Sequence, residues 1–299
     1  MSLNPSTRIR RSALYVPCDR PRAMAKAETL GSDIIIFDLE DAVAPDIKAQ
    51  AREALRGHFQ DYTTSTAERI VRINGLETPW GTEDFLAARA VLPDGIVLPK
   101  VSAFADVEAL RDALSETDAP SSISVWAMIE TAAGVFNIAD ITEQDAQPLT
   151  GLIVGTNDLF KETGLGGPDP RAVAHPWLMQ IVLAAKARGL AVLDGVFNDF
   201  KDVAAFESAC HTATHMGFDG KTLIHPNQVD GANRIFAPHA DVVREADAIV
   251  AAFAQPENAD KGVISLDGKM VERLHLHQAE ALLLKVAAIH ARKKEQSQT

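Results

Sequence analysis

Three carboxylates, Asp38, Glu40 and Asp41, stand within four positions behind the apolar run Ile34 to Phe37 in DIIIFDLEDAVAP. So much like charge at the tip of a buried strand calls for a counter-charge, because an unpaired buried charge is very costly. Two kinds are available. Arg72 in RIVRING and Lys100 in VLPKV are cations placed to pair with these acids. The other is a hard divalent ion, held by Glu130 in AMIETAAG and Asp158 in VGTNDL. Magnesium takes near-octahedral oxygen ligands, usually one or two carboxylates with waters and substrate, and manganese accepts the same set. Glu130 and Asp158 are therefore the expected direct ligands. Asp38, Glu40 and Asp41 would accept hydrogen bonds from metal-bound water or pair with Arg72 and Lys100. Asp46, directly behind Pro45, is expected to cap the helix that starts there.

Arg72 suits a bidentate grip on a carboxylate, and its plainer role is an ion pair with a second-strand acid. The loop YVPCDRPRAMAKA carries Arg20, Arg22 and Lys26 where a helix opens, the pattern of a phosphate site or of a solvated helix face. His211 and His215 in HTATH lack the glutamate of a zincin and are expected as a surface pair. GLGGP at 164–168 lacks the lysine of a phosphate-binding loop. No G-x-S-x-G elbow occurs, and neither cysteine has an evident histidine partner.

These side chains are delivered by short β-rich runs at 13–16, 33–37, 69–73, 95–99, 123–129, 151–155, 190–195 and 221–225. Helix-like segments with three- and four-residue apolar spacing alternate with them. Eight continuous apolar strands alternating with helices predict an α/β fold, a (β/α)8 TIM barrel, with active-site groups on the loops after the strands. An open doubly wound sheet fits less well, since no G-x-G-x-x-G follows the first strand. At the strand tips stand Asp38, Glu40 and Asp41, then Arg72 and Asn74, Lys100, Glu130, Asn157 and Asp158, Asp194 and Asn198, and His225. The opposite ends read as ordinary turns. The barrel is expected over 1–254, with a hairpin and a helix over 255–299 as a lid or exchange segment and ARKKEQSQT as a frayed tail.

The 299 residues are 46% hydrophobic and carry a formal charge of -12, which argues against general affinity for nucleic acid. No apolar run is long enough to span a bilayer, and no apolar signal core follows the basic residues of MSLNPSTRIRR, so no membrane association is expected. Two cysteines, Cys18 and Cys210, are too few for a disulfide framework, which makes a cytoplasmic location the natural expectation and both thiols small buried side chains.

Taken in order, RSALYVPCDRP, IIFDLEDAVAPDIKAQAR, RIVRINGLETPWG, VLPKV, MIETAAG, GTNDL, LDGVFNDF and MGFDGKTLIHPNQ resemble the HpcH/HpaI aldolase and citrate lyase β-subunit-like superfamily over nearly the whole chain. The resemblance implies a barrel, a magnesium ion, acyl-CoA substrates and a homotrimer or dimer of trimers. It implies Glu130 and Asp158 as metal ligands and Arg72 as the group that holds a substrate carboxylate or carbonyl oxygen. It also implies Tyr15, Arg20 and Lys26 as contacts to the CoA thioester and its phosphates, and Leu193 with Asp194 as a substrate-binding pair. Glu40 and Asp41 join the catalytic set. LDGKMVER is similar to the lid motif of malyl-CoA lyases, with Glu272 where those carry an aspartate. The implied reaction is retro-Claisen cleavage of a 3-hydroxyacyl-CoA such as malyl-, citramalyl- or citryl-CoA. The alternative is hydrolysis of the thioester in the same site, towards which the DGKMVE ending leans. An aldolase that needs no CoA, and a non-catalytic acyl-CoA-binding subunit, are the remaining readings.

Overall fold

The computed structural model describes residues 8–143, 149–258 and 260–296. Eight parallel strands close into one barrel in sequence order: β1 (Ser12–Pro17), β2 (Ile34–Asp38), β3 (Glu68–Arg72), β4 (Gly95–Leu98), β5 (Ser124–Ile129), β6 (Gly151–Val154), β7 (Ala191–Asp194) and β8 (Gly220–Leu223). Pairing of Ser12 with Lys221 and of Leu14 with Leu223 joins the last strand to the first. Each expected apolar run holds one of these strands. Their unbroken hydrophobicity follows from burial on both faces.

Alternate side chains separate the two layers. Ala13, Ile34, Ile36, Ile70, Val97, Trp126, Met128, Ile153 and Leu193 fill the interior as one cluster. The intervening residues, among them Leu14, Ile35, Phe37, Val71, Ile96 and Val192, pack under the helices. Trp126 is fully buried, and a side chain at Gly151 would meet its ring at 2.4 Å, so the small residue makes room for the large one.

The outer layer is α1 (Pro21–Ala27), α2 (Lys48–Asp61), α3 (Gly81–Ala90), α4 (Phe104–Glu116), α5 (Ala132–Phe136), α6 (Ile138–Thr142), α7 (Thr156–Thr163), α8 (Pro170–Val173), α9 (His175–Ala187), α10 (Val203–Met216) and α11 (Val229–Ile235). Asp202 caps α10 by accepting from the Ala205 N–H at 2.9 Å, and Gly217, at φ 94°, ends it in the left-handed region. His211 and His215 are exposed on α10, and Cys18 and Cys210 are buried free thiols.

The amino-terminal ends of the strands correct one expectation. In place of ordinary turns they carry two buried two-point ion pairs, Arg11 with Asp33 at 2.8 and 2.9 Å and Arg10 with Glu68 at 2.7 and 3.0 Å. The Arg10 guanidinium also lies over the Trp126 ring, 5.0 Å from its centroid. Paired charge at this end of a barrel serves stability rather than chemistry.

Two compact units are present, Arg10–Phe236 and a second that groups residues 8–9 with those from Ala237 onward. The division falls earlier than the expected boundary at 254. In the second unit α12 (Ala240–Phe253) packs with α13 (Arg273–Gln296), and the hairpin of β9 (Val263–Leu266) and β10 (Lys269–Glu272) lies between them in sequence. Phe253, Ile264, Val271 and Leu276 form its small core. The stretch expected to fray is helical through Gln296, and residues 297–299 lie outside the described residues, as do 1–7 of the basic N-terminal stretch.

Candidate active site

β2 ends in Asp38, whose side chain follows Ile34 and Ile36 onto the inner face of the wall, and β3 ends in Arg72 on the same face. The two meet as a fork, Nε to Oδ1 at 2.7 Å and Nη2 to Oδ2 at 2.6 Å. Glu40 Oε2 lies 2.9 Å from Nη1 of the same guanidinium, and Glu40 Oε1 takes the Lys100 ammonium. Burial lowers the affinity of Arg72 for its proton, but Asp38, Tyr15 and Glu40 outweigh that effect and hold it firmly cationic. Burial raises the Glu40 carboxyl, against the pull of Arg72 and Lys100. Asp41 is exposed, 3.9 Å from the Lys100 ammonium. The acids at the second strand tip thus pair with Arg72 and Lys100, the first of the two counter-charges the sequence offered.

Glu130 follows β5 and is buried. Its Oε1 accepts the Lys100 backbone N–H at 2.9 Å, and no hydrogen bond reaches Oε2 among the described residues. Burial and the Glu40 charge push its carboxyl up to about 7, and Asp158 adds to the push. Asp158 sits in the first turn of α7 and makes no hydrogen bond or ion pair among the described residues. Glu130 and Asp158 therefore share one rim of the barrel and feel each other's charge. Five carboxyl groups, Asp38, Glu40, Asp41, Glu130 and Asp158, thus gather around two cations, Arg72 and Lys100, so acids outnumber cations at this rim.

Tyr15 lies beside this group, with the Arg72 guanidinium 4.7 Å from its ring centroid and its hydroxyl 3.6 Å from Met128 Sδ. Burial, reinforced by Glu130, Asp38 and Glu40, raises its phenol. Arg20, Arg22 and Lys26 are exposed on the loop after β1 and on α1. Leu193 belongs to the interior cluster. Asp194, one position on, faces the other side of the wall and is fully enclosed: Lys221 Nζ is 2.6 Å from Oδ2, Arg171 Nη2 2.8 Å from Oδ1, and the Gly195 N–H donates to Oδ1 at 2.9 Å. Burial lowers the Lys221 ammonium despite the Asp194 charge beside it. Glu272 ends β10 in the C-terminal unit, where its N–H donates to His275 Nδ1 at 2.9 Å.

The remaining strand-tip residues serve structure. Asn74 donates to Asp84 and to the Leu39 carbonyl. Asn157 and Asn198 bond each other reciprocally, and His225 stacks on Phe200 at 4.4 Å. Asp46 lies in a 3-10 turn whose N-cap position is Ala44, so it supplies first-turn charge without a capping bond. Sequence reasoning passed over Lys48, whose ammonium takes the Leu39 and Glu40 carbonyls at 2.8 and 3.0 Å and so pins the acidic turn. It also passed over Gly155, where an added Cβ would stand 2.2 Å from Glu130 Oε2. A small residue directly after an apolar strand was the one available signal.

The model of the family described as HpcH/HpaI aldolase/citrate lyase matches residues 11–226. The (3S)-malyl-CoA thioesterase of Cereibacter sphaeroides is 44% identical over 283 residues, 94% of this chain and 96% of that protein. The L-malyl-CoA/beta-methylmalyl-CoA lyase of the same species is 32% identical over 311 residues, 96% of this chain and 98% of that protein. Among solved structures, protein CitE from Mycobacterium tuberculosis in complex with magnesium, acetoacetate and coenzyme A aligns with a TM-score of 0.73 and 32% identity, covering 92% of this chain and 97% of that one.

Proposed function

The chain belongs to the HpcH/HpaI aldolase/citrate lyase family, and from that premise we propose that it is a magnesium-dependent hydrolase of a 3-hydroxyacyl-CoA thioester of the malyl-CoA type. The observation that carries hydrolysis over carbon–carbon cleavage is the gap between 44% identity to a malyl-CoA thioesterase and 32% to a malyl-CoA lyase, each along nearly the full chain. That reverses the order in which the sequence ranked the two outcomes.

The residues present fit a hard divalent ion. Two carboxyl groups with unspent oxygens, Glu130 and Asp158, stand in a rim where acids outnumber cations, and oxygen-only ligands suit magnesium or manganese. Glu130 and Asp158 would hold it, leaving other positions for water and substrate. When bound, the ion supplies Lewis-acid polarisation of the substrate's oxygens. Arg72, kept cationic and oriented by Asp38 and Glu40, is the group proposed to meet a substrate carboxylate or carbonyl oxygen. Tyr15 shields that guanidinium on one side, and Arg20 and Lys26 offer the exposed cations for CoA phosphates. Glu272, supplied by a neighbouring subunit as the lid resemblance implies, is the proposed general base. It takes a proton from water as the oxygen adds to the thioester carbonyl carbon, the carbon–sulfur bond then breaks, and CoA leaves with that proton. We propose three-fold assembly with it, in line with the resemblance that first suggested Glu272.

Incubation of the purified protein with magnesium and malyl-CoA is expected to release free malate and CoA. Glyoxylate with acetyl-CoA in place of malate returns the assignment to the lyase reading, which the full-length likeness to the lyase supports. Turnover of free hydroxy-oxo acids without CoA removes both.

A further inference from the structure

Lys100 follows β4 with its backbone in the left-handed region, φ 53°. Side chains other than glycine rarely adopt that conformation, and they persist in it only where the surroundings over-determine them. Two contacts do so here. The Lys100 N–H donates to Glu130 Oε1 at 2.9 Å, and the ammonium at the other end of the residue pairs with Glu40. Glu40 in turn lies 2.9 Å from Arg72 Nη1. One residue therefore touches the carboxylates that follow β2 and β5, and through Glu40 it reaches the guanidinium at the end of β3.

We propose that Lys100 is a positioning residue with two separable handles: its left-handed backbone aims Glu130, and its ammonium, by holding Glu40, sets the edge that Arg72 presents. The inference deepens the reading of Glu130 as a cation ligand and rests on it. φ at Lys100 sets how the N–H bonded to Oε1 and the side chain paired with Glu40 are disposed about one Cα, and the left-handed conformation lets one residue make both contacts. Lysine keeps the rarer conformation because its far end is anchored. Glycine adopts it without steric cost, whereas alanine bears that cost and has no anchor.

Lys100→Gly and Lys100→Ala in the full chain separate the handles. Manganese binding without substrate, read by electron paramagnetic resonance, reports on Glu130, and kcat and KM for the acyl-CoA report on Arg72. The side chain is 46% exposed, so both variants are expected to fold, as circular dichroism and melting curves will show. Lys100→Gly is expected to bind manganese within about threefold of the wild type while losing about tenfold in kcat/KM, the loss of one charge-assisted pair. Lys100→Ala is expected to lose about a further tenfold in manganese affinity, the factor that left-handed backbone costs an alanine. Equal manganese affinity in the two variants overturns the backbone role, and wild-type kcat/KM in Lys100→Gly overturns the ammonium role. A wild-type chain that binds no manganese overturns the cation reading of Glu130 itself, and this inference with it.

Discussion

Arg72 holds Asp38 through a fork and Glu40 through Nη1, a pattern that only a planar guanidinium can make. Arg72→Lys keeps the charge and loses the fork. It is expected to lower kcat/KM by about a hundredfold and to lower Tm, because Asp38 is left with a single-point partner in a buried place. Steady-state kinetics beside a melting curve check both effects. A second residue sets a pH dependence away from the site. Burial alone would raise the Glu28 carboxyl, but hydrogen bonds from His58 at 3.0 Å and Ser65 at 2.5 Å, with Arg69 nearby, hold it below its ordinary value of 4.5. A carboxyl depressed on folding contributes stability that is complete above its unfolded value and is lost as pH falls through the folded one. Tm should therefore fall as pH drops below 4.5, and Glu28→Gln should lower Tm at neutral pH and flatten that acid limb.

Each strand tip depends on how tightly the element behind it is packed. Gly155, between β6 and α7, has φ -99°, so a side chain there is excluded by space and not by backbone conformation. Its Cβ would fall 2.2 Å from Glu130 Oε2 and 2.4 Å from Glu130 Cβ. Gly155→Ala should push Glu130 about 1 Å and reduce kcat roughly a hundredfold, with weakened manganese binding and the far-ultraviolet spectrum retained. The eight strands were legible because buried parallel strands read as apolar runs between turn residues. The helices α5, α6 and α8 were not, since four or five residues carry too little periodicity to register. At the site, Arg72 with Asp38 and Glu130 with Asp158 could be gathered because each stands at or just past a strand tip. Asp194 shows the limit of that rule: one position after inward Leu193 it points to the outer layer, towards Lys221 and Arg171. A period of two read from Leu193 would have said so.

On the scale of the whole barrel unit, charge is divided by purpose between the two ends. The carboxyl-terminal end carries the uncompensated acids, and the amino-terminal end carries closed pairs, Arg10 with Glu68 and Arg11 with Asp33. Arg11→Ala, which removes the guanidinium from buried Asp33, is expected to cost about 3 kcal/mol of stability. Denaturant melts should show that loss, while manganese affinity stays unchanged. The interior between the two ends is filled by Trp126 and its aliphatic neighbours, so no passage runs through the core of the barrel from one end to the other. With the core closed, a product of the proposed thioesterase reaction would leave by the end at which substrate enters, so free CoA is expected to compete with the thioester, raising KM and leaving kcat untouched.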